Sequence, residues 1–274
     1  MSMILMYITN KPEVAKIAEQ NDVDWVFVDL EVRGKSNRQF GRNTVISAHT
    51  IDDVRNVRMV LSKSQLLVRI NPIWPGSKEE IDDVIAAGAN VIMLPYFKTI
   101  QEARTFISFV DNRVKTCLLV ETPEAIGIIG DVLRPLAPDY VHIGLNDLHI
   151  AYDMKFIFEL LADGTIDDLS KKISSFNVPF GFGGISRIGS KIPPAEHIIA
   201  EHYRLGSSMV ILSRSFCNSD IYGIEEVQNI FQIEIPKIRE VEQELALMPE
   251  SFFERNRLVV KDEISKVVKN GETN

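Results

Sequence analysis

The chain has 274 residues, 45% of them hydrophobic and 25% charged, with 38 acidic against 30 basic side chains and a formal net charge of −8. This is ordinary soluble usage, which excludes disordered, collagen-like and coiled-coil chains. With no basic block longer than Lys171-Lys172, it also argues against a nucleic-acid partner. Two cysteines, Cys117 and Cys217, make no disulfide framework. The first residues show neither the basic segment nor the long apolar stretch of a signal peptide, and no run reaches the roughly 18 apolar residues of a membrane span. A cytoplasmic protein without a membrane partner is expected.

Strand-like runs fall at 3–9, 25–30 (WVFVDL), 65–71 (QLLVRIN), 91–96 (VIMLPY), 115–122 (KTCLLVET), 140–145 (YVHIGL), 180–186 (FGFGGIS) and 209–216 (MVILSRSF). Helical spacing lies between them at 12–20, 54–61, 78–87, 101–110, 123–133, 155–175 with a break near Asp163-Gly164, and 194–205. A long polar loop follows the second strand; its cations Arg33, Lys35, Arg38 and Arg42 could hold an anionic tail. Thr50 is placed to cap the next helix, and Gly88, Gly130 and Gly206 stand where helix C-caps are expected.

Eight strands alternating with helices predict a parallel sheet, and eight repeats predict a closed (β/α)8 TIM barrel rather than an open doubly wound sheet. The open fold would also need a glycine-rich phosphate turn after the first strand, and Ile8-Thr9-Asn10-Lys11-Pro12 is not one. The barrel is expected over residues 1–219. Residues 220–274 read as extra helix: Val227, Ile230 and Phe231, then after Pro236 Ile238, Val241, Leu245 and Met248, keep helical spacing. That apolar face belongs either on a partner subunit or on the outside of its own barrel.

In such a barrel the C-terminal strand ends form the active-site face. Five of them are polar: Asp29 and Glu31, Arg69 and Asn71, Glu121-Thr122, the run Gly144-Leu145-Asn146-Asp147, and Ser213-Arg214-Ser215. Charges there are costly unless paired or used. Alternation puts Asp29 and Glu31 in phase with Trp25 and Phe27, Glu121 with Cys117 and Leu119, and Asp147 with Ile143 and Leu145. If these faces point inward, Glu121 and Asp147 converge at the mouth as two carboxylates able to hold Mg²⁺ or Mn²⁺. Arg69 then adds a cation for a substrate carboxylate or enolate oxygen. The alternative use of the same three side chains is a set of rim salt bridges.

His149, two positions past Asp147 in what reads as a loop at the mouth, is either a general base or a solvated loop histidine. His142 alternates to the outer face of its strand and reads as structural, as do His197 and His202; His49 could reach the mouth from the long loop. Gly181-Phe182-Gly183-Gly184 suits either a close approach of phosphate or tight packing with a bulge. Cys117 reads as buried core, Cys217 lacks an activating base, and Ser213 and Arg214 either line the pocket or close the barrel.

The segments WVFVDLE (25–31), LLVRIN (66–71), GANVIMLPYFKTIQEA (88–103), LLVETPEAI (118–126) and HIGLNDL (142–148) stand in barrel order. Together they resemble the metal-dependent class II pyruvate aldolase and citrate lyase β-subunit family, of HpcH/HpaI type, within the phosphoenolpyruvate/pyruvate superfamily. The likeness spans roughly residues 23–216. It implies a carbon–carbon lyase or aldolase that uses a divalent metal, Mg²⁺ or Mn²⁺, to form a pyruvate-type enolate from a 2-oxo acid. Glu121 and Asp147 would be the metal ligands. Arg69 would bind the carboxylate and enolate, with Asp29 and Glu31 beside the substrate and the backbone of Gly144, Leu145 and Asn146 on the same oxyanions. The resemblance also implies homo-oligomers, dimers or multiples of them, that exchange C-terminal helices.

One position departs from the pattern. The aldolase branch follows the acid-x-acid of the second strand with a histidine that manages the substrate proton; here Asp29-Leu30-Glu31 is followed by Val32. The citrate lyase branch continues with an acid, which Val32-Arg33-Gly34 does not match either. The proton is therefore expected to pass through a water or His149. Two further readings stay open: a lyase or hydrolase of a coenzyme A-type acyl thioester, and a barrel without catalysis that serves as a binding or assembly subunit.

Overall fold

The computed structural model describes residues 2–34, 48–190 and 192–271. Eight parallel strands close in chain order: β1 (Ile4–Ile8), β2 (Trp25–Asp29), β3 (Gln65–Arg69), β4 (Val91–Leu94), β5 (Lys115–Val120), β6 (Tyr140–Ile143), β7 (Phe180–Ile185) and β8 (Met209–Leu212). β8 pairs back onto β1, with Ile4 opposite Met209. The fold is thus the (β/α)8 barrel expected from the alternation.

Strand alternation builds two apolar cores. Met6, Phe27, Leu67, Met93, Cys117 and Leu119 pack inside the barrel. The residues between them in sequence, such as Leu5, Val26, Val28, Leu66, Val68 and Leu118, face the helices. Cys117 is fully buried, as expected of a core thiol. Gly181 leaves no room for a side chain between β7 and β8: a Cβ there would stand 2.1 Å from the Met209 carbonyl oxygen, and the register slips between Gly181 and Gly184. Close packing and a bulge account for that glycine run.

The described helices are α1 (Pro12–Gln20), α2 (Ile51–Val60), α3 (Ser77–Ala86), α4 (Ile100–Val110), α5 (Pro123–Leu136), α6 (Leu145–Ala151), α7 (Glu159–Ala162), α8 (Thr165–Ser174), α9 (Ala195–Leu205), α10 (Ile224–Leu245) and α11 (Glu250–Asn270). Thr50 caps α2 in a reciprocal box with Asp53. Gly88 (φ 98°) and Gly206 (φ 72°) lie at helix ends, as expected. Gly130 does not: α5 runs past it and ends at Ala137, because the helix keeps burying apolar residues through Val132 and Leu133. No described helix is long and apolar enough to cross a membrane.

The C-terminal segment forms two long helices, and α10 continues unbroken past Pro236. In the single chain their apolar faces lie on the barrel: α10 packs on α1 and α9, and α11 on α9 and α7. Buried and half-buried polar pairs fix α11 in place. Asn256 Nδ2 donates to Glu201 Oε1 at 2.8 Å, and His197 Nδ1 meets Glu263 Oε2 at 3.0 Å. Arg204 pairs with Glu201 and with Asp167, both at 2.7 Å. His197 and His202 are structural, as the sequence suggests. His202 is fully buried, stacked on Phe182 with ring centres 3.8 Å apart and hydrogen-bonded to Ser207 Oγ at 2.7 Å.

Candidate active site

The C-terminal ends of the strands open into one cavity of about 420 Å³. Asp29 and Arg69 stand opposite each other in the β2–β3 register, and both side chains reach the cavity wall. Arg69 Nε donates to Asp29 Oδ1 and Nη2 to Asp29 Oδ2, both at 2.8 Å. Glu31 Oε2 lies 3.4 Å from Nε. Burial alone would pull the Arg69 pKa down, but Asp29, then Glu31 and Glu121, outweigh it and hold the guanidinium firmly charged. Glu31 is buried behind this pair and is not on the cavity wall.

Glu121 is the first residue past β5 and is only 3% exposed. Its Oε1 accepts the Tyr96 backbone N–H at 2.9 Å. That contact corrects the expected extent of the fourth strand. β4 stops at Leu94, because Pro95 has no N–H to donate and Tyr96 turns into the left-handed region at φ 49°. A non-glycine residue held there stores strain, and here the strained amide points at a carboxylate on the cavity wall.

Gly144 donates its N–H to the Val120 carbonyl at 2.9 Å, which brings the two strand ends together. A Cβ on Gly144 would stand 2.8 Å from Glu121 Cβ and 2.9 Å from its Oε2. Only glycine lets the chain turn this close to the carboxylate. Directly after it α6 begins, so Leu145, Asn146 and Asp147 occupy a first helical turn that lines the cavity. Asp147 therefore reaches the wall from a helix, and the strand parity assumed for it does not apply.

The histidines are arranged differently from the sequence reading. His149 lies in the last turn of α6, not in a loop; its Nδ1 sits 3.3 Å from the Leu145 carbonyl oxygen and it does not line the cavity. His49 does line it, and its Nδ1 accepts the Asp29 backbone N–H at 3.0 Å. His142 points into the barrel, not toward the helices: it pairs in register with Leu119 of the inner core and lies on the cavity wall. Counting by twos from Gly144 places it inside, whereas counting from Asp147 places it outside.

Val32 is half exposed and is not part of the wall. Asn71 Oδ1 pins the backbone there, accepting from Val32 N at 3.0 Å and Arg33 N at 2.9 Å. Asn71 in turn donates to Glu80, which also accepts from Trp74 Nε1 at 2.8 Å, and the Arg33 guanidinium lies over the Trp74 ring at 3.7 Å. Arg33 is thus placed on an indole. Lys35, Arg38 and Arg42 lie outside the described residues. Across the cavity from Glu121, Ser213, Arg214 and Cys217 contribute wall. The Cys217 thiol is pushed up by burial and is no thiolate nucleophile.

A family model described as HpcH/HpaI aldolase/citrate lyase matches residues 3–155, more than half of the chain. The chain belongs to the HpcH/HpaI aldolase/citrate lyase family. The matched stretch contains Arg69, Glu121 and Asp147, and membership gives the barrel a lyase or aldolase function in the general sense. Solved structures of the HpcH/HpaI family share the fold. An HpcH/HpaI aldolase from Desulfitobacterium hafniense superposes with a TM-score of 0.61 at 13% identity, covering 87% of this chain and 93% of its own. A family protein from Burkholderia cenocepacia gives 0.62 at 12%, covering 88% and 95%. The citrate synthase SbnG gives 0.60 at 11%, covering 89% and 94%. Comparison with curated protein sequences gives no match.

Proposed function

We propose that this HpcH/HpaI family member forms a pyruvate-type enolate from a 2-oxo or hydroxy-oxo acid and makes or breaks the carbon–carbon bond beside it. The observation that carries the reading is the convergence of Arg69, Glu121 and the 144–147 turn on one cavity wall. Asp29 holds Nε and Nη2 of Arg69, so Nη1 is the nitrogen turned to a substrate oxygen. There the fixed positive charge stabilises the carboxylate and the developing enolate.

Glu121 and Asp147 fit a divalent cation such as Mg²⁺ or Mn²⁺. They are hard carboxylate donors on one wall, and the space beside Glu121 is kept open by the absence of a Cβ at Gly144. Among the described residues no cluster of three or more His, Cys, Asp or Glu forms a closed site. Waters and the substrate's own oxygens would complete the shell, as is common for Mg²⁺. When bound, the cation supplies Lewis acidity toward the oxo acid.

On this reading His49, which lies on the cavity wall, takes the role that Val32 has no polar group to fill. Because Nδ1 accepts the Asp29 amide, the neutral ring is the Nε2–H tautomer, and the imidazole stands on the wall that faces the substrate oxygens. Water carries the proton to and from carbon. The test is proton–deuterium exchange at the methyl group of pyruvate, followed by NMR in D₂O with Mg²⁺ or Mn²⁺. Metal-dependent exchange that Glu121→Gln abolishes supports the reading. Metal binding without exchange moves a thioester or a larger oxo acid ahead of pyruvate. Neither binding nor exchange leaves the barrel as an assembly subunit.

A further inference from the structure

His142 is a buried group on the cavity wall that has no part in the chemistry proposed for the site. It is 1% exposed, and neither ring nitrogen has a hydrogen-bond partner in the protein. The Gly183 carbonyl lies beside the ring without meeting hydrogen-bond geometry. Buried polar atoms are nearly always paired, by protein, water or ligand. An imidazole with both nitrogens unmatched is costly where an apolar ring of similar size would fit, so its polar atoms call for a partner. The surroundings favour the neutral form. Burial, and then the positive charge of Arg69, push its pKa down to about 4, so at neutral pH the ring carries one N–H donor and one acceptor.

Resting on the functional reading above, we propose that His142 is a specificity-determining residue that donates a hydrogen bond to a carboxylate oxygen of the oxo acid at the inner end of the cavity. Arg69 supplies the charge for that carboxylate and His142 the second, neutral contact. The site would thus select acids whose carboxylate reaches the barrel interior over ligands that place no acceptor there. A site built around a buried polar group rejects ligands that leave it unpaired.

The experiment measures the Kd of oxalate, a stable mimic of the pyruvate enolate, in the presence of Mg²⁺, together with the thermal midpoint of each variant. His142→Phe keeps a ring of similar shape and removes the unmatched nitrogens. It is expected to raise the midpoint or leave it unchanged while weakening oxalate by about tenfold or more. His142→Gln restores a donor and is expected to recover part of the affinity. Phe and Gln variants that both bind oxalate as tightly as the wild type overturn the proposal. So does a Phe variant that loses stability and affinity together while Gln recovers neither, since that is the behaviour of a purely structural histidine. If the wild type binds no oxalate with any divalent metal, the functional reading fails first, and this inference falls with it.

Discussion

Arg69 and Asp29 meet edge to edge across β3 and β2, joined by two hydrogen bonds of 2.8 Å each. The pairing follows from register: Asp29 lies opposite Arg69 in the ladder, at the last position of both strands. A charge pair at the rim thereby fixes the orientation of the cation that faces the cavity.

Asp29→Asn keeps the shape and removes the charge. Glu31, at 3.4 Å, compensates only part of the loss. Breaking such a pair is expected to cost about 3 kcal/mol of stability by urea unfolding. The released guanidinium should also lower pyruvate exchange. A variant with wild-type stability would show that Glu31 alone suffices to hold Arg69.

Gly144→Ala inserts a methyl 2.9 Å from Glu121 Oε2. At φ −85° the backbone accepts alanine without strain, so the damage falls on the carboxylate rather than on the turn. We expect Mn²⁺ affinity, read by calorimetry or electron paramagnetic resonance, to fall at least tenfold. The far-ultraviolet circular dichroism should be unchanged. Undiminished affinity would show that Glu121 Oε2 is no ligand.

The two histidines nearest the mouth give opposite expectations. His49→Ala removes a ring from the wall and should lower lyase or aldolase turnover by about 10²-fold, the size of losing one hydrogen-bond donor to developing charge. His149→Ala removes a side chain turned toward its own helix and should change turnover by less than about twofold, given that surface-type substitutions away from a site act weakly. The reverse ranking, in steady-state kinetics, would give the proton to His149 rather than to water.

Stability should fall as the solution is acidified below neutral. Burial depresses the His202 pKa to about 3, while the unfolded chain has an ordinary histidine value near 6.5. Between those values the unfolded state binds the proton and the folded state does not, so unfolding becomes easier as pH drops. The contribution is complete above about pH 6.5 and is lost progressively down to about pH 3. Urea midpoints for wild type and His202→Phe, measured from pH 7.5 to 4.5, should show a shallower decline in the variant. Parallel curves would mean that His202 does not carry the acid sensitivity.

Much of the protein was legible in the chain. Eight apolar runs alternating with helical spacing suffice for the barrel, because a parallel strand with both faces buried needs a covering helix before the next strand can add. The polar strand ends located Asp29, Arg69, Glu121 and the 144–147 turn, since charge at the end of an apolar strand stands out by its solvation cost. The quoted motifs carried the family. What failed was direction. The parity counted from Asp147 assumed a strand that had already become α6, which misplaced His142, and the same helix holds His149, which the sequence suggests lies in a loop.

The sequence by itself determined which residues are polar at the rim and how many repeats close the sheet, because periodicity and solvation cost are local properties. Only the tertiary structure decided that Tyr96 turns its amide onto Glu121, that Gly144 makes room for that carboxylate, and that His49 lies on the cavity wall while Val32 does not. Those contacts join segments separated by 20 or more positions, His49 to Asp29 and Glu121 to Tyr96. They depend on where the closed barrel sets each strand end, which no local pattern encodes.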